Sequence, residues 1–139
     1  MNSVAHEMRE YYGNNFPVLI GVGISGVEIV GRMPEILGDS SVETYVCDVV
    51  RRGDAIEKVI DFPVEKVKGK RVLIAYVRVD TGKTLQAISS LAIESGATEV
   101  KTLSIAVRSG ASCFPHFFCF IIKFLLTTGN LIKVFTNGA

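Results

Sequence analysis

A run of six apolar residues, Val72 to Val77, constrains the fold more than any other feature of the sequence. The run has the length of a strand, and its unbroken apolarity is typical of a parallel strand that is covered on both faces. The polar segment Asp80-Thr81-Gly82-Lys83-Thr84 follows it, and a helical pattern continues to Gly96. A buried strand that leads through a short loop into a helix predicts an α/β sheet.

The loop itself has the composition of a phosphate site. Asp80 to Thr84 supplies backbone N–H groups, two hydroxyls and a lysine at a helix N-terminus, where unpaired amides and the helix dipole favour an anion. Gly82 lets the backbone approach a ligand closely. The alternative is an ordinary helix cap formed by Asp80 and Thr81. A Walker-type P-loop is excluded, because the glycine that it requires five residues before Gly82 is Val77.

Strand and helix patterns alternate along the rest of the chain. Helices are predicted over 3–12, 27–37 and 83–95, and strands over 17–22, 42–50, 55–62 and 100–107. This alternation predicts a mostly parallel, twisted sheet flanked by helices. We expect a single domain over 1–139, with an α/β core over 15–110 and an aromatic C-terminal segment over 111–139.

Composition bears on the partners and on the cellular compartment that we expect for this chain. Lys and Arg number 15 against 14 Asp and Glu, so the net charge of +1 gives no electrostatic case for nucleic acid. The three cysteines form no C-x-x-C pair, which suits a reducing compartment. The longest apolar run, Phe117 to Leu126, has ten residues and is interrupted by Lys123, too short to span a bilayer. We expect a cytoplasmic protein with no membrane partner.

A second glycine-rich turn lies earlier in the chain. Gly21-Val22-Gly23-Ile24-Ser25-Gly26 satisfies G-x-G-x-x-G after a strand, and Asp48 stands 22 residues beyond Gly26. This spacing is also typical of a Rossmann-type dinucleotide-binding fold. A turn that needs glycine only for its backbone angles is the plainer alternative.

The strand at 72–77 with its loop resembles the phosphoribosyl pyrophosphate (PRPP) motif of type I phosphoribosyltransferases. The resemblance implies that Asp80, Thr81, Gly82, Lys83 and Thr84 hold the ribose 5′-phosphate, with Asp80 the candidate general base or acid. The family motif carries two acidic residues before the loop, which hold the ribose hydroxyls. Tyr76 and Val77 occupy those two positions here.

The glycine-rich turn is similar to the pyrophosphate loop of the same family. This resemblance implies that Ile24, Ser25 and Gly26 bind pyrophosphate through backbone amides. Arg51 and Arg52 stand where the family often has a basic residue that faces the pyrophosphate, although both are equally compatible with solvated turn charges. A short hairpin, Gly53 to Phe62, replaces the family's flexible loop.

The C-terminal part resembles the purine branch of the family. Arg108 follows the strand at 100–107, where a cation lies near the base, and Phe135 stands where an aromatic ring stacks on it. His116 takes the place of an aspartate and is a second choice for proton transfer. These features imply a small or degenerate hood, although aromatic clusters are more often core. The apolar run at 117–126 predicts a homodimer contact.

Taken together, the resemblance implies transfer of 5-phosphoribosyl from PRPP to a purine base in nucleotide salvage, with Mg²⁺ bound through PRPP. Replacement of the acidic pair favours an alternative, a catalytically impaired regulator or partner subunit that binds PRPP or a nucleotide. A Rossmann-type dinucleotide-binding protein is the second alternative.

Overall fold

The computed structural model describes residues 2–53, 55–79, 83–108, 117–127 and 130–137, with side chains described at 5–24, 26–53, 55–76 and 83–104. The helices are α1 (Asn2–Tyr12), α2 (Gly23–Leu37), α3 (Val64–Val67) and α4 (Lys83–Glu94). The strands are β1 (Val18–Val22), β2 (Thr44–Arg52), β3 (Ala55–Ile60), β4 (Arg71–Val79), β5 (Glu99–Arg108), β6 (Phe117–Thr127) and β7 (Asn130–Asn137).

The strands form one sheet in the order β3-β2-β1-β4-β5-β6-β7. Strands β2, β1, β4, β5 and β6 run parallel, whereas β3 and β7 are antiparallel additions at the two edges. The predicted mostly parallel sheet flanked by helices is therefore confirmed. From β1 the chain crosses through α2 to β2, and from β4 it crosses through α4 to β5 on the other side.

Two apolar clusters cover the two faces of this sheet. Helices α1 and α2 pack on one face, where Met8 and Met33 are fully buried against Leu19 and Leu73. Helix α4 packs on the other face and buries Leu85 and Ile88 beside residues of β1 and β4. Residues 18–22 of β1 and 72–75 of β4 are buried because both faces are covered there, and they are all apolar, as the run at 72–77 predicted.

Two of the element boundaries that differ from the prediction bear on the site. Helix α2 begins at Gly23, so the predicted turn at 23–26 is the first turn of the helix. Strand β2 extends through Arg52, so Arg51 and Arg52 lie in the strand and not in the turn after it. Hydrogen bonding across the β2–β3 hairpin continues to the pair Arg52 and Ala55, which explains the longer strand.

The C-terminal part of the chain continues the sheet. Strand β6 pairs with β5 in parallel and with β7 in antiparallel. Residues 109–116 and all side chains from 105 onward fall outside the described part of the chain, so the hood and the homodimer contact stay predictions. No helix in the described part is long and apolar enough to cross a membrane.

Candidate active site

The carboxyl ends of β1 and β4 form the point at which the direction of the crossovers changes. These two strands are neighbours in parallel register, with Ile20 opposite Ile74 and Gly21 opposite Ala75. Helix α2 leaves β1 toward one edge of the sheet, and α4 leaves β4 toward the other. Ligands of open α/β sheets bind in the crevice at such a switch point. Both glycine-containing loops of the sequence belong to this edge.

A cluster of three polar side chains lies at this edge on the α4 face. Arg51, at the end of β2, donates a hydrogen bond from Nη2 to Thr84 Oγ1 in the first turn of α4. The same nitrogen donates to the hydroxyl of Tyr76 on β4, at 3.3 Å. Thr84 is 5% exposed, so its hydroxyl is fixed by its surroundings. Two parts of the predicted phosphate site, 33 residues apart in sequence, are thus in direct contact.

Alternation along β2 decides which arginine joins this cluster. Cys47 and Val49 face the apolar cluster under α4, and Arg51 continues that face two residues later. Arg52 faces the other way and forms an ion pair with Glu57 at 3.1 Å. Glu57 is the extra residue of a bulge in β3, between the partners of Val50 and Arg51. The structure therefore brings Arg51 into the site and leaves Arg52 outside it.

The start of α2 lies at the same edge, on the face of the sheet opposite α4. Gly23 has a φ of 71°, a left-handed conformation that favours glycine. A Cβ on Gly26 would lie 2.8 Å from the backbone carbon of Gly21 and 3.2 Å from the Ala75 oxygen. Glycine at 26 is therefore required for packing of the helix on the strands. Ile24 is 87% exposed, and the side chain of Ser25 is outside the described part.

The remaining candidate residues lie in several places. Lys83 is the exposed first residue of α4, directly before Thr84. Ile122 of β6 pairs with Arg108 of β5 on one side and with Phe135 of β7 on the other. The three residues therefore lie in one line across the sheet. The two predicted base-binding positions are therefore two strands apart, a separation of about 10 Å. Asp80, Thr81, Gly82 and His116 lie outside the described residues.

The cluster of Arg51, Tyr76 and Thr84 does not fit a metal ion. Magnesium prefers carboxylate, phosphate and water oxygens. At the first position of the motif's acidic pair the chain offers the Tyr76 hydroxyl, which already accepts a bond from the cationic Arg51. Among the described residues, no group of three or more His, Cys, Asp or Glu could hold a metal.

Local sequence reasoning did not find the contact between Arg51 and Thr84. A contact between distant elements leaves no periodic signal, because it depends on which strands become neighbours. The choice between Arg51 and Arg52 did have a signal. Cys47, Val49 and Arg51 alternate on one face of β2, which the sequence-based boundary at Val50 concealed.

Fold and site together define a doubly wound α/β protein with a cationic, hydroxyl-rich cluster at its switch point. A family model described as phosphoribosyl transferase domain matches residues 1–123. The chain belongs to this family. The Rossmann-type alternative is not supported, since β3 returns antiparallel to β2 through a hairpin and not through a crossover helix.

Solved structures agree with this assignment. A purine phosphoribosyltransferase from Pyrococcus horikoshii Ot3 is 32% identical, with 86% of this chain and 77% of that one covered and a TM-score of 0.68. A hypoxanthine phosphoribosyltransferase from Trypanosoma cruzi, in complex with IMP, is 20% identical over 84% and 68% of the two chains, with a TM-score of 0.71. Comparison with curated proteins gives no match.

Proposed function

We propose that this chain transfers the 5-phosphoribosyl group of PRPP to a purine base and releases pyrophosphate. The observation that carries the proposal is the contact of Arg51 with Thr84 at the switch point. It joins a cation to a hydroxyl of the loop that the PRPP-motif resemblance assigns to the 5′-phosphate. The purine as acceptor is supported by the 32% identical purine phosphoribosyltransferase.

The candidate residues other than Arg52 and His116 each have a role in this reaction. The loop at 80–84 holds the 5′-phosphate, and Thr84 donates to it while accepting from Arg51. Arg51 and the backbone amides of Ile24, Ser25 and Gly26 neutralise the leaving pyrophosphate, which is the charge that develops in the transition state. Asp80 exchanges a proton with the purine ring. Arg108 and Phe135 contact the base.

In this proposal, magnesium binds to the protein only together with PRPP. It would supply charge neutralisation on the diphosphate of PRPP. Because Tyr76 offers no carboxylate, the ion would arrive with PRPP and would not be held at that position.

The test is formation of a nucleotide from PRPP and each of adenine, guanine, hypoxanthine and xanthine, separated by chromatography, with pyrophosphate release measured in parallel. We expect one purine to give equal amounts of nucleotide and pyrophosphate. Thr84→Val should lower kcat/KM by at least about tenfold, since one hydrogen bond to a charged group is lost. Arg32→Gln, a change at an exposed arginine of α2, is the control. Absence of product with all four bases would contradict the proposal.

A second candidate function is a regulator or partner subunit that binds PRPP or a nucleotide without turnover. Tyr76 favours it, because a phenol hydroxyl that accepts from Arg51 cannot replace a carboxylate that accepts from the ribose hydroxyls. Binding of PRPP in calorimetry, combined with no product in the assay above, would select this function.

Two further expectations accompany the proposed function. We propose a homodimer, with the segment 117–126 at the contact, and a cytoplasmic location. Light scattering coupled to size-exclusion chromatography tests the first, and fractionation of the source cells tests the second.

A further inference from the structure

The hydrogen-bond directions in the Arg51 cluster determine what the site offers to a ligand. Arg51 has no acceptor, so the oxygens of Tyr76 and Thr84 must accept from it. Each hydroxyl proton therefore points away from the guanidinium. The Tyr76 ring packs against the apolar cluster under α4, which fixes the position of its hydroxyl at the rim. Each hydroxyl can consequently donate to an acceptor other than Arg51.

The guanidinium also retains unused donors. Its Nη2 serves both contacts, and an arginine carries five N–H groups, so about three remain. Within the side chains that the structure describes, none of the ion pairs involves Arg51. Arg51, Tyr76 and Thr84 together therefore present one positive charge and several hydrogen-bond donors, and none of the three carries a negative charge.

Such a surface discriminates between the groups of a phosphorylated sugar. Phosphate oxygens are acceptors with negative charge, and they form the stronger, charge-assisted bonds with these donors. Sugar hydroxyls would find only neutral hydroxyl oxygens as acceptors on these three side chains, and such bonds are weaker than the charge-assisted bonds that a carboxylate accepts. A divalent cation would meet the positive charge of Arg51 at close range.

We infer that the Tyr76 end of this site binds a phosphate or diphosphate group directly and without a divalent cation, in place of a metal-assisted sugar diol. The inference rests on the proposed function, since it assigns a ligand class to the same site. At the first position of the acidic pair the chain thus has a hydroxyl that can donate, held beside Arg51, in place of a carboxylate that accepts. Tyr76 acts as a positioning residue for Arg51 and as a donor to the anion.

The experiment is calorimetric titration with inorganic pyrophosphate, in EDTA and in excess MgCl₂. Wild-type protein is expected to bind in EDTA, and Mg²⁺ should change Kd by less than about threefold. Tyr76→Asp introduces a carboxylate that repels the anion and pairs with Arg51. We expect it to weaken binding in EDTA by at least about tenfold, with partial recovery in Mg²⁺. Arg32→Gln, remote from the cluster, should leave both titrations unchanged.

Tyr76→Phe is a second test that does not depend on whether the aspartate variant folds, because it keeps the ring and removes only the hydroxyl. Circular dichroism establishes that each variant is folded. The phenylalanine variant should bind pyrophosphate several-fold more weakly in EDTA, since one donor is lost. Wild-type binding that requires Mg²⁺, or unchanged affinity in both Tyr76 variants, would overturn the inference.

The outcomes separate this inference from the proposed function. Pyrophosphate binding in EDTA without nucleotide formation from any purine would remove the function and leave the inference standing. Nucleotide formation by a protein that binds pyrophosphate only with Mg²⁺ would remove the inference and leave the function standing.

Discussion

Arg51 and Arg52 are neighbours in sequence, but their guanidinium groups lie on opposite faces of β2. Arg51 contacts Tyr76 and Thr84, whereas Arg52 pairs with Glu57 on the far face. Arg51→Gln should weaken PRPP binding by about 1.5–3 kcal/mol, the range for a lost charge-assisted hydrogen bond. Arg52→Gln removes the same charge one residue away and should change the binding free energy of PRPP by less than about 0.5 kcal/mol. Calorimetry on both variants measures the difference.

Equal losses of PRPP affinity in the two arginine variants would contradict this placement and would indicate a general effect of net charge.

At the residue scale, the sequence was sufficient to select Thr84 as a candidate, because residue types in a loop before a helix carry local information. It was not sufficient to pair Thr84 with Arg51. That pairing depends on β2 and β4 both flanking β1, a consequence of strand order.

At the scale of elements, the junction of β1 and α2 depends on two glycines that face each other. A Cβ on Gly26 would lie 2.8 Å from the Gly21 carbonyl carbon, both of them backbone positions with little freedom to move. Gly26→Ala should therefore destabilise the fold by about 2 kcal/mol or more, as overpacking does. Gly31→Ala, in the same helix with nothing within 4 Å of its Cβ, should be neutral or stabilise by up to about 1 kcal/mol.

Urea denaturation of the two glycine variants measures both changes. If Gly26→Ala were as stable as Gly31→Ala, α2 would not approach β1 as closely as described.

The sequence predicted both β1 and α2, because a buried apolar run and a helical pattern are local signals. The predicted helix start, Val27, was four residues later than the observed one, Gly23, because a glycine-rich segment predicts a turn. Close packing at Gly26 lets the first helical turn form directly on the strand.

The whole molecule is needed to account for the environment of Cys47. Cys47 is 4% exposed within the cluster beneath α4, which includes residues of β1, β4 and α4. Burial, with a smaller contribution from Asp48, raises the pKa of this thiol to about 11 from a usual value of 9.0. The folded state therefore favours the neutral thiol more strongly than the unfolded state does.

The sign of the pH dependence follows from this difference. Because the folded pKa is the higher one, the stabilisation is fully present below pH 9 and is lost as the pH rises toward 11. Urea denaturation at pH 8, 9, 10 and 11 should show the free energy of unfolding falling more steeply for wild type than for Cys47→Ala. The alanine variant is less stable at pH 8 because it leaves a cavity, but its slope lacks the thiol contribution. Parallel slopes would mean that this thiol is accessible to solvent in the folded protein, and that α4 does not cover the sheet as described.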